Sequence, residues 1–226
     1  MIFTPDLFRG PPCRTFRIRA FAGQWMPDHV RHDEEKRADL DSSPMNPEKS
    51  ALRARIRADR DRFFTVGPPA IAPSPAFLDR LEHGLTVASY VPMGSEIDPS
   101  PLARAAVERG CAIVLPHVTV RSQPMRFLAW DSEAALIAGP FGLSQPHHES
   151  AAMAPDIILT PLLAFDSDLN RLGQGAGYYD RAFVQFPEAW RVGVAWSVQQ
   201  VESLPHDPWD VPLHAIITER DWITPQ

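Results

Sequence analysis

The chain has 226 residues, 44% of them hydrophobic and 22% charged, with a formal net charge of -6, the balance of an ordinary globular domain with or without an appended tail. That negative balance argues against a general nucleic-acid binder, which needs a basic face to neutralise phosphates. No apolar run approaches the ~20 residues needed to span a bilayer; Cys13 and Cys111, the only two cysteines, lack the paired spacing of a zinc or redox motif, so a reducing cytoplasm is the expected compartment.

Residues 1–45 differ in character from the rest. Arg9, Arg14, Arg17 and Arg19 face a single early acid, Asp6, and a charge run follows over 28–41. Without serine enrichment or helical periodicity, this segment is expected to be a disordered tail or an upstream start codon rather than a transit peptide. From Pro47, Leu52, Ile56 and Phe63/Phe64 fall near one face of a helix with arginines between them. After the proline-rich break at 67–75, a short helix is predicted over 76–83 and a strand over 85–91. Asp98 is placed to cap a helix that runs to about Arg109 and closes at Gly110. Strands are predicted at 111–115, 125–130, 157–162, 191–196 and 214–218, with a helix near 177–186. Strands separated by helices predict a three-layer α/β/α, Rossmann-like fold around a mostly parallel sheet.

The stretch from Phe165 to Arg181, FDSDLNRLGQGAGYYDR, carries the most chemistry. It follows a buried strand, sets Gly173, Gly175 and Gly177 at alternating positions, and runs into a helix. Glycines there let backbone N–H groups approach an anion, and the helix N-terminus adds positive potential. Arg171 can fork onto phosphate oxygens, and Asp180 in the first helical turn can face a magnesium ion bridging them. Neither the P-loop nor the dinucleotide G-x-G-x-x-G pattern is met. Taken alone, the loop is equally well a tight strand-to-helix turn in which Asp180 satisfies the helix dipole. His147, His148 and Glu149 are adjacent and lack a distant third ligand, so a surface role is expected. No G-x-S-x-G elbow or H-E-x-x-H motif supports a hydrolase.

Read whole, R-L-G-x-G-x-G-Y-Y-D-R after A-F-D resembles the signature of 5-formyltetrahydrofolate cyclo-ligases, and the resemblance extends along most of the chain from about Pro47. It implies that Lys49 and Arg53, a K-x-x-x-R pair on the first helix, contact ATP together with Arg171, Gly173, Gln174, Gly175, Ala176, Gly177, Tyr178 and Tyr179. In YVPMGSEID, Glu96 matches a substrate-binding carboxylate and Val91 an apolar folate contact; Tyr179 and Phe141 are further candidates to flank the pterin. Asp180 and Asp210 match two magnesium-associated aspartates, and Arg171 and Tyr178 are the expected catalytic residues. The implied activity is ATP- and Mg²⁺-dependent conversion of 5-formyltetrahydrofolate to 5,10-methenyltetrahydrofolate, with ADP and phosphate released. The expected enzyme is a cytoplasmic monomer without membrane or nucleic-acid partners. The alternatives are a non-catalytic folate or nucleotide sensor on the same scaffold and, on a similar fold, a sugar-phosphate isomerase or ligand-responsive regulator.

Two departures from the family pattern stand out. Leu169 occupies a turn position where relatives usually have glycine; a positive φ there would penalise leucine, with Asn170 as the alternative residue to absorb the turn. Restoring glycine at 169 is therefore expected to be tolerated and to improve the KM for ATP. Gln174 and Ala176 replace an aromatic or Arg and a Gly or Lys, which is expected to weaken ATP or polyglutamate contacts while sparing Arg171, the three glycines and Asp180.

Overall fold

The computed structural model describes residues 47–225 except Glu133, His206, Pro208 and Trp209; the expected tail at 1–45 lies outside the described residues. The first helix, α1, spans Pro47–Thr65, and a four-residue helix, α2, covers only Pro75–Leu78, shorter than the predicted 76–83. Ser74 caps α2 through Oγ, which accepts from the Phe77 N–H at 3.2 Å. Helix α3 runs Ser100–Glu108. Asp98 Oδ1 accepts from the Ser100 N–H at 2.9 Å, and Gly110 closes the turn at φ 81°, as the sequence predicts.

The strands are β1 Thr86–Ala88, β2 Ala112–His117, β3 Arg126–Ala129, β4 Ile137–Ala138, β5 Ser144–Gln145, β6 Ile157–Pro161, β7 Ala164–Phe165, β8 Arg171–Leu172, β9 Trp190–Val194, β10 Ala215–Ile217 and β11 Trp222–Ile223. Helix α4, Tyr178–Gln185, lies between β8 and β9. Seven strands form the main sheet in the order β11-β10-β9-β6-β1-β2-β3. Its five central strands pair in parallel, while the edges β3 and β11 are antiparallel. The α/β expectation holds; the small hairpins β4–β5 and β7–β8 have no counterpart in the predicted elements.

Side-chain alternation explains the layers. Val87, Ile113, Ile157, Leu159 and Ile217 pack on one sheet face with Phe77 of α2 and Leu102, Ala105 and Ala106 of α3. Their neighbours Ala88, Val114, Ile158 and Ile216 pack on the other with Ala182 and Phe183 of α4. This period-two alternation is what a strand covered on both faces requires. Helix α1 places Leu52 and Ile56 against Ala164, Leu172 and Leu204 and Phe63 on the Trp196 ring, 5.7 Å between centroids. Phe64, paired with it in the sequence reading, is instead exposed.

The 166–170 turn corrects one expectation. Leu169 itself takes the left-handed conformation at φ 62°, and Asn170 instead binds Asp166, whose Oδ1 and Oδ2 accept from the Asn170 N–H and Nδ2 at 3.0 and 3.1 Å. The Leu169 side chain is fully buried against the α4 face of the core. Glycine would relieve ~1–2 kcal/mol of left-handed strain, whereas emptying a buried leucine site costs about 2–5 kcal/mol. Leu169→Gly is therefore expected to lower stability in urea unfolding by roughly 1–3 kcal/mol, the balance of these two effects; unchanged or increased stability would show that strain dominates.

Candidate active site

In the sheet, β1 leads to β2 on one side, while β6, on the other side of β1, leads to β9 and β10. The strand order therefore reverses between β1 and β6, and the crevice beyond the carboxyl ends of such strands is where open α/β sheets bind ligands. The loop after β1 carries Val91 to Glu96. The chain after β6 makes the β7–β8 hairpin, the glycine loop and α4.

The glycine loop needs unusual backbone. Gly175 has φ 101°, and Gly177, the residue before α4, has φ 65°, conformations L side chains rarely adopt. Gly173 has no such φ, but Arg53 Nε donates to its carbonyl at 3.0 Å. From the other side Arg181 Nη1 donates to the Ala176 carbonyl at 3.1 Å. The loop is thus gripped by two arginines before it enters α4. Asp180, in the first turn, accepts a hydrogen bond from Arg171 Nη2, and the Arg171 guanidinium lies 4.8 Å from the Phe183 ring centre. Arg171 Nε and Tyr178 Oη are buried without a hydrogen-bond partner among the described residues, leaving one donor and one hydroxyl beside the loop with capacity for a ligand.

Helix α1 forms the opposite wall through residues 49, 53, 57 and 60, which share one face at spacings of 4, 4 and 3. Lys49 Nζ donates to Asp207 Oδ2 at 2.6 Å and Asp210 Oδ2 at 2.8 Å. Arg57 donates to Gln174 Oε1 at 2.7 Å, and Arg60 Nε donates to Ser95 Oγ at 2.9 Å. Asp207, Arg57 and Arg60 are site neighbours that the sequence reading did not select. The helical spacing from Lys49 and Arg53 reaches the two arginines; Asp207 carries no sequence signal beyond lying three residues before Asp210.

The charges act on one another. Burial lifts the Asp180 carboxyl above the usual range; Arg171 opposes this and Asp210 adds to it, so the two expected metal-associated aspartates are in electrostatic contact. Burial works to lower Lys49, but hydrogen bonds and charge from Asp207 and Asp210 outweigh it and raise the ammonium. Burial lowers Arg53, with Asp210 partly restoring it. The carboxylate-rich rim offers hard oxygen donors, but among the described residues no three His, Cys, Asp or Glu side chains converge as a metal cage.

Glu96 sits at the end nearer β1. Its Oε2 accepts from the Met93 N–H at 3.0 Å and its Oε1 from Gln174 Nε2 at 3.4 Å. Burial first, and then the Glu96 charge, push the Tyr179 phenol well up, with Arg171 opposing them. Val91 is half-buried in the loop between β1 and Glu96. Phe141 is 62% exposed, at φ 61° in the turn between β4 and β5. His147 and Glu149 are surface groups 3.6 Å apart, as expected.

The Arg171–Asp180 pair is a poor source of stability, because burial penalises the Asp180 charge more than Arg171 favours it. For an acid with a raised folded-state pKa, the proton favours folding at low pH, and that contribution is lost as pH rises through the folded pKa. Asp180→Asn leaves the Arg171 guanidinium, 5% exposed, without its anion, and should cost about 1–3 kcal/mol. Adding Arg171→Met should recover much of the loss, so urea unfolding should give a non-additive double-mutant cycle; simple additivity would show that the pair is not coupled.

Residues 45–219 match the 5-formyltetrahydrofolate cyclo-ligase family. The 5-formyltetrahydrofolate cyclo-ligase of Escherichia coli (strain K12) is 33% identical over 140 residues, covering 59% of this chain and 77% of its own. That of Mycolicibacterium smegmatis is 32% identical over 146 residues, covering 61% and 75%. The solution structure of Aquifex aeolicus 5,10-methenyltetrahydrofolate synthetase superposes with TM-score 0.53 at 28% identity, covering 84% of this chain and 91% of that one. With a seven-stranded mixed sheet, a glycine loop at its switch point and a family match over most of its length, the chain belongs to the 5-formyltetrahydrofolate cyclo-ligase family.

Proposed function

We propose that this enzyme converts 5-formyltetrahydrofolate to 5,10-methenyltetrahydrofolate at the expense of ATP. The observation that carries the reading is a phosphate-type glycine loop facing a row of cations on α1, with Glu96 tied to that loop through Gln174. Phosphate and pterin groups can thus be held side by side. The formyl oxygen attacks the γ-phosphorus, ADP leaves, and the formyl carbon becomes an activated phosphorylated imidate. N10 then adds to that carbon and closes the ring; N10 gives up its proton and phosphate leaves, forming the methenyl product. Such chemistry needs positioning and neutralisation of phosphate charge more than a protein nucleophile.

In this reading Lys49, Arg53 and Arg171 neutralise phosphate oxygens. The loop of Gly173, Gln174, Gly175, Ala176 and Gly177 approaches them with its backbone, and Tyr178 Oη donates at the reacting end. Glu96 accepts the adjacent pterin N–H groups side by side, with Val91, Tyr179 and Phe141 as apolar walls. Asp180 and Asp210 suit Mg²⁺, since both are oxygen donors and Asp210 acts electrostatically on Asp180; such an ion needs only one or two carboxylates besides phosphate oxygens. When bound it would add positive charge at the phosphates. Phosphate oxygens compete with Asp180 for Arg171, freeing the aspartate for that role. The family match beginning at residue 45 supports taking 46–226 as the cyclo-ligase domain. The enzyme is proposed to act as a monomer. Among the described residues no helix is long and apolar enough to cross a membrane; the compartment proposed for the enzyme is the cytoplasm.

Purified protein with 5-formyltetrahydrofolate, ATP and Mg²⁺ should develop the near-ultraviolet band of the methenyl product. Folate binding without turnover by folded protein would replace this reading with the sensor. In steady-state kinetics across a Mg²⁺ titration, excess Mg²⁺ should partly rescue Asp180→Asn and Asp210→Asn but not Arg171→Ala, which removes a phosphate contact. Wild-type kinetics for Asp180→Asn at limiting Mg²⁺ would remove Asp180 from the metal assignment.

A further inference from the structure

We propose that Arg60 is a positioning residue for the Glu96 carboxylate, holding the folate-recognising group in register with the phosphate-binding face of α1. The inference rests on the reading of Glu96 as the pterin acceptor. Arg60 is the arginine of α1 farthest from Lys49 along the basic face that is also buried, at 4% exposure. Burying a guanidinium is expensive unless it is paired and hydrogen-bonded, and here the pairing is directed at one group. Nη1 lies 3.9 Å from Glu96 Oε1 and makes no hydrogen bond of its own, while Nε is anchored on Ser95 Oγ at 2.9 Å. Ser95 Oγ in turn donates to Asp61 Oδ1. The guanidinium is therefore aimed by its neighbours, and what it faces is the carboxylate.

The donor geometry around Glu96 gives this a function. An ionised carboxylate offers about four acceptor positions. Met93 N–H occupies one on Oε2 and Gln174 Nε2 one on Oε1. A charge at 3.9 Å orients the group electrostatically without filling a further position, leaving one on each oxygen for two adjacent pterin N–H donors. A purely structural arginine, bracing only Ser95, would not need that approach to Glu96. Burial lowers the Arg60 pKa, with Glu96 and then Asp61 opposing it, as expected for a cation retained through these acids.

The test separates substrate positioning from bracing. Dissociation constants for 5-formyltetrahydrofolate and for ATP are measured separately, with urea unfolding, for wild type, Arg60→Met, Arg60→Lys, Glu96→Gln and the Arg60→Met/Glu96→Gln double variant. Arg60→Met should weaken folate binding roughly tenfold, equivalent to ~1.4 kcal/mol, and ATP binding less than about twofold, with Arg60→Lys recovering part of the loss. In the Glu96→Gln background Arg60→Met should add little. Parallel losses for both ligands, or full additivity with Glu96→Gln, would make Arg60 a structural brace and overturn the proposal. Normal folate affinity in Glu96→Gln would overturn it as well, while wild-type turnover independently decides the enzyme reading. Should Arg60→Met fail to fold, Ser95→Ala removes the acceptor that aims the guanidinium; a folate-specific loss supports the proposal and an unchanged folate constant overturns it.

Discussion

Lys49 Nζ is shared between Asp207 and Asp210 at 2.6 and 2.8 Å, and that contact fixes the first turn of α1 on a loop some 160 positions later in the chain. Everything on the basic face of α1 is then set by helical rise. At 1.5 Å per residue, Lys49 and Arg60 are ~16 Å apart along the axis, so one rigid element reaches from the acidic rim, past the glycine loop, to Glu96. Apolar packing of Leu52, Ile56 and Phe63 prevents the helix from rolling. Each basic side chain therefore meets a different partner: two aspartates, the Gly173 carbonyl, Gln174, and Ser95 with Glu96.

The charged site draws its stability from elsewhere. Buried ion pairs often fail to repay desolvation, and the raised Asp180 carboxyl shows the balance going that way here. The compensation comes from the sheet, where Val87 and Ala88, Ile113 and Val114, and Ile157 and Ile158 send alternate side chains into two apolar layers. Loops at the carboxyl ends of β1 and β6 can then hold a dense group of acids and arginines on a scaffold whose core is apolar.

Those layers explain why the central fold was legible in the sequence. Short apolar strands between helices imply a covered parallel sheet, and the glycine string with its flanking Arg and Asp marked the loop, although its phosphate reading came from the family resemblance and not from the residues alone. What stayed hidden depended on tertiary partners. The two-residue strands of the hairpins at 137–145 and 164–172 are too short to show periodicity. In the Leu169 turn the sequence offered Asn170 as the alternative residue for the strained position, yet Asn170 is committed to Asp166 by two hydrogen bonds, and leucine keeps the left-handed position because its side chain fills the core. Asp207 is silent in sequence because its importance lies in an ammonium supplied by a distant helix.

The loop's departures from the family pattern take on a different meaning once its contacts are traced. Ala176 is used through its carbonyl, which accepts from Arg181, so the change of side chain leaves that contact intact. Gln174 is used through both ends of its amide: the oxygen receives Arg57 and the nitrogen reaches Glu96. An arginine at 174 would place like charge against Arg57, and a phenylalanine or tryptophan could not both accept and donate. Glutamine therefore serves as a neutral connector between the basic face of α1 and the carboxylate at the other end of the crevice. Whatever its effect on ATP or polyglutamate contacts, Gln174 supplies a bond that links the loop to Glu96.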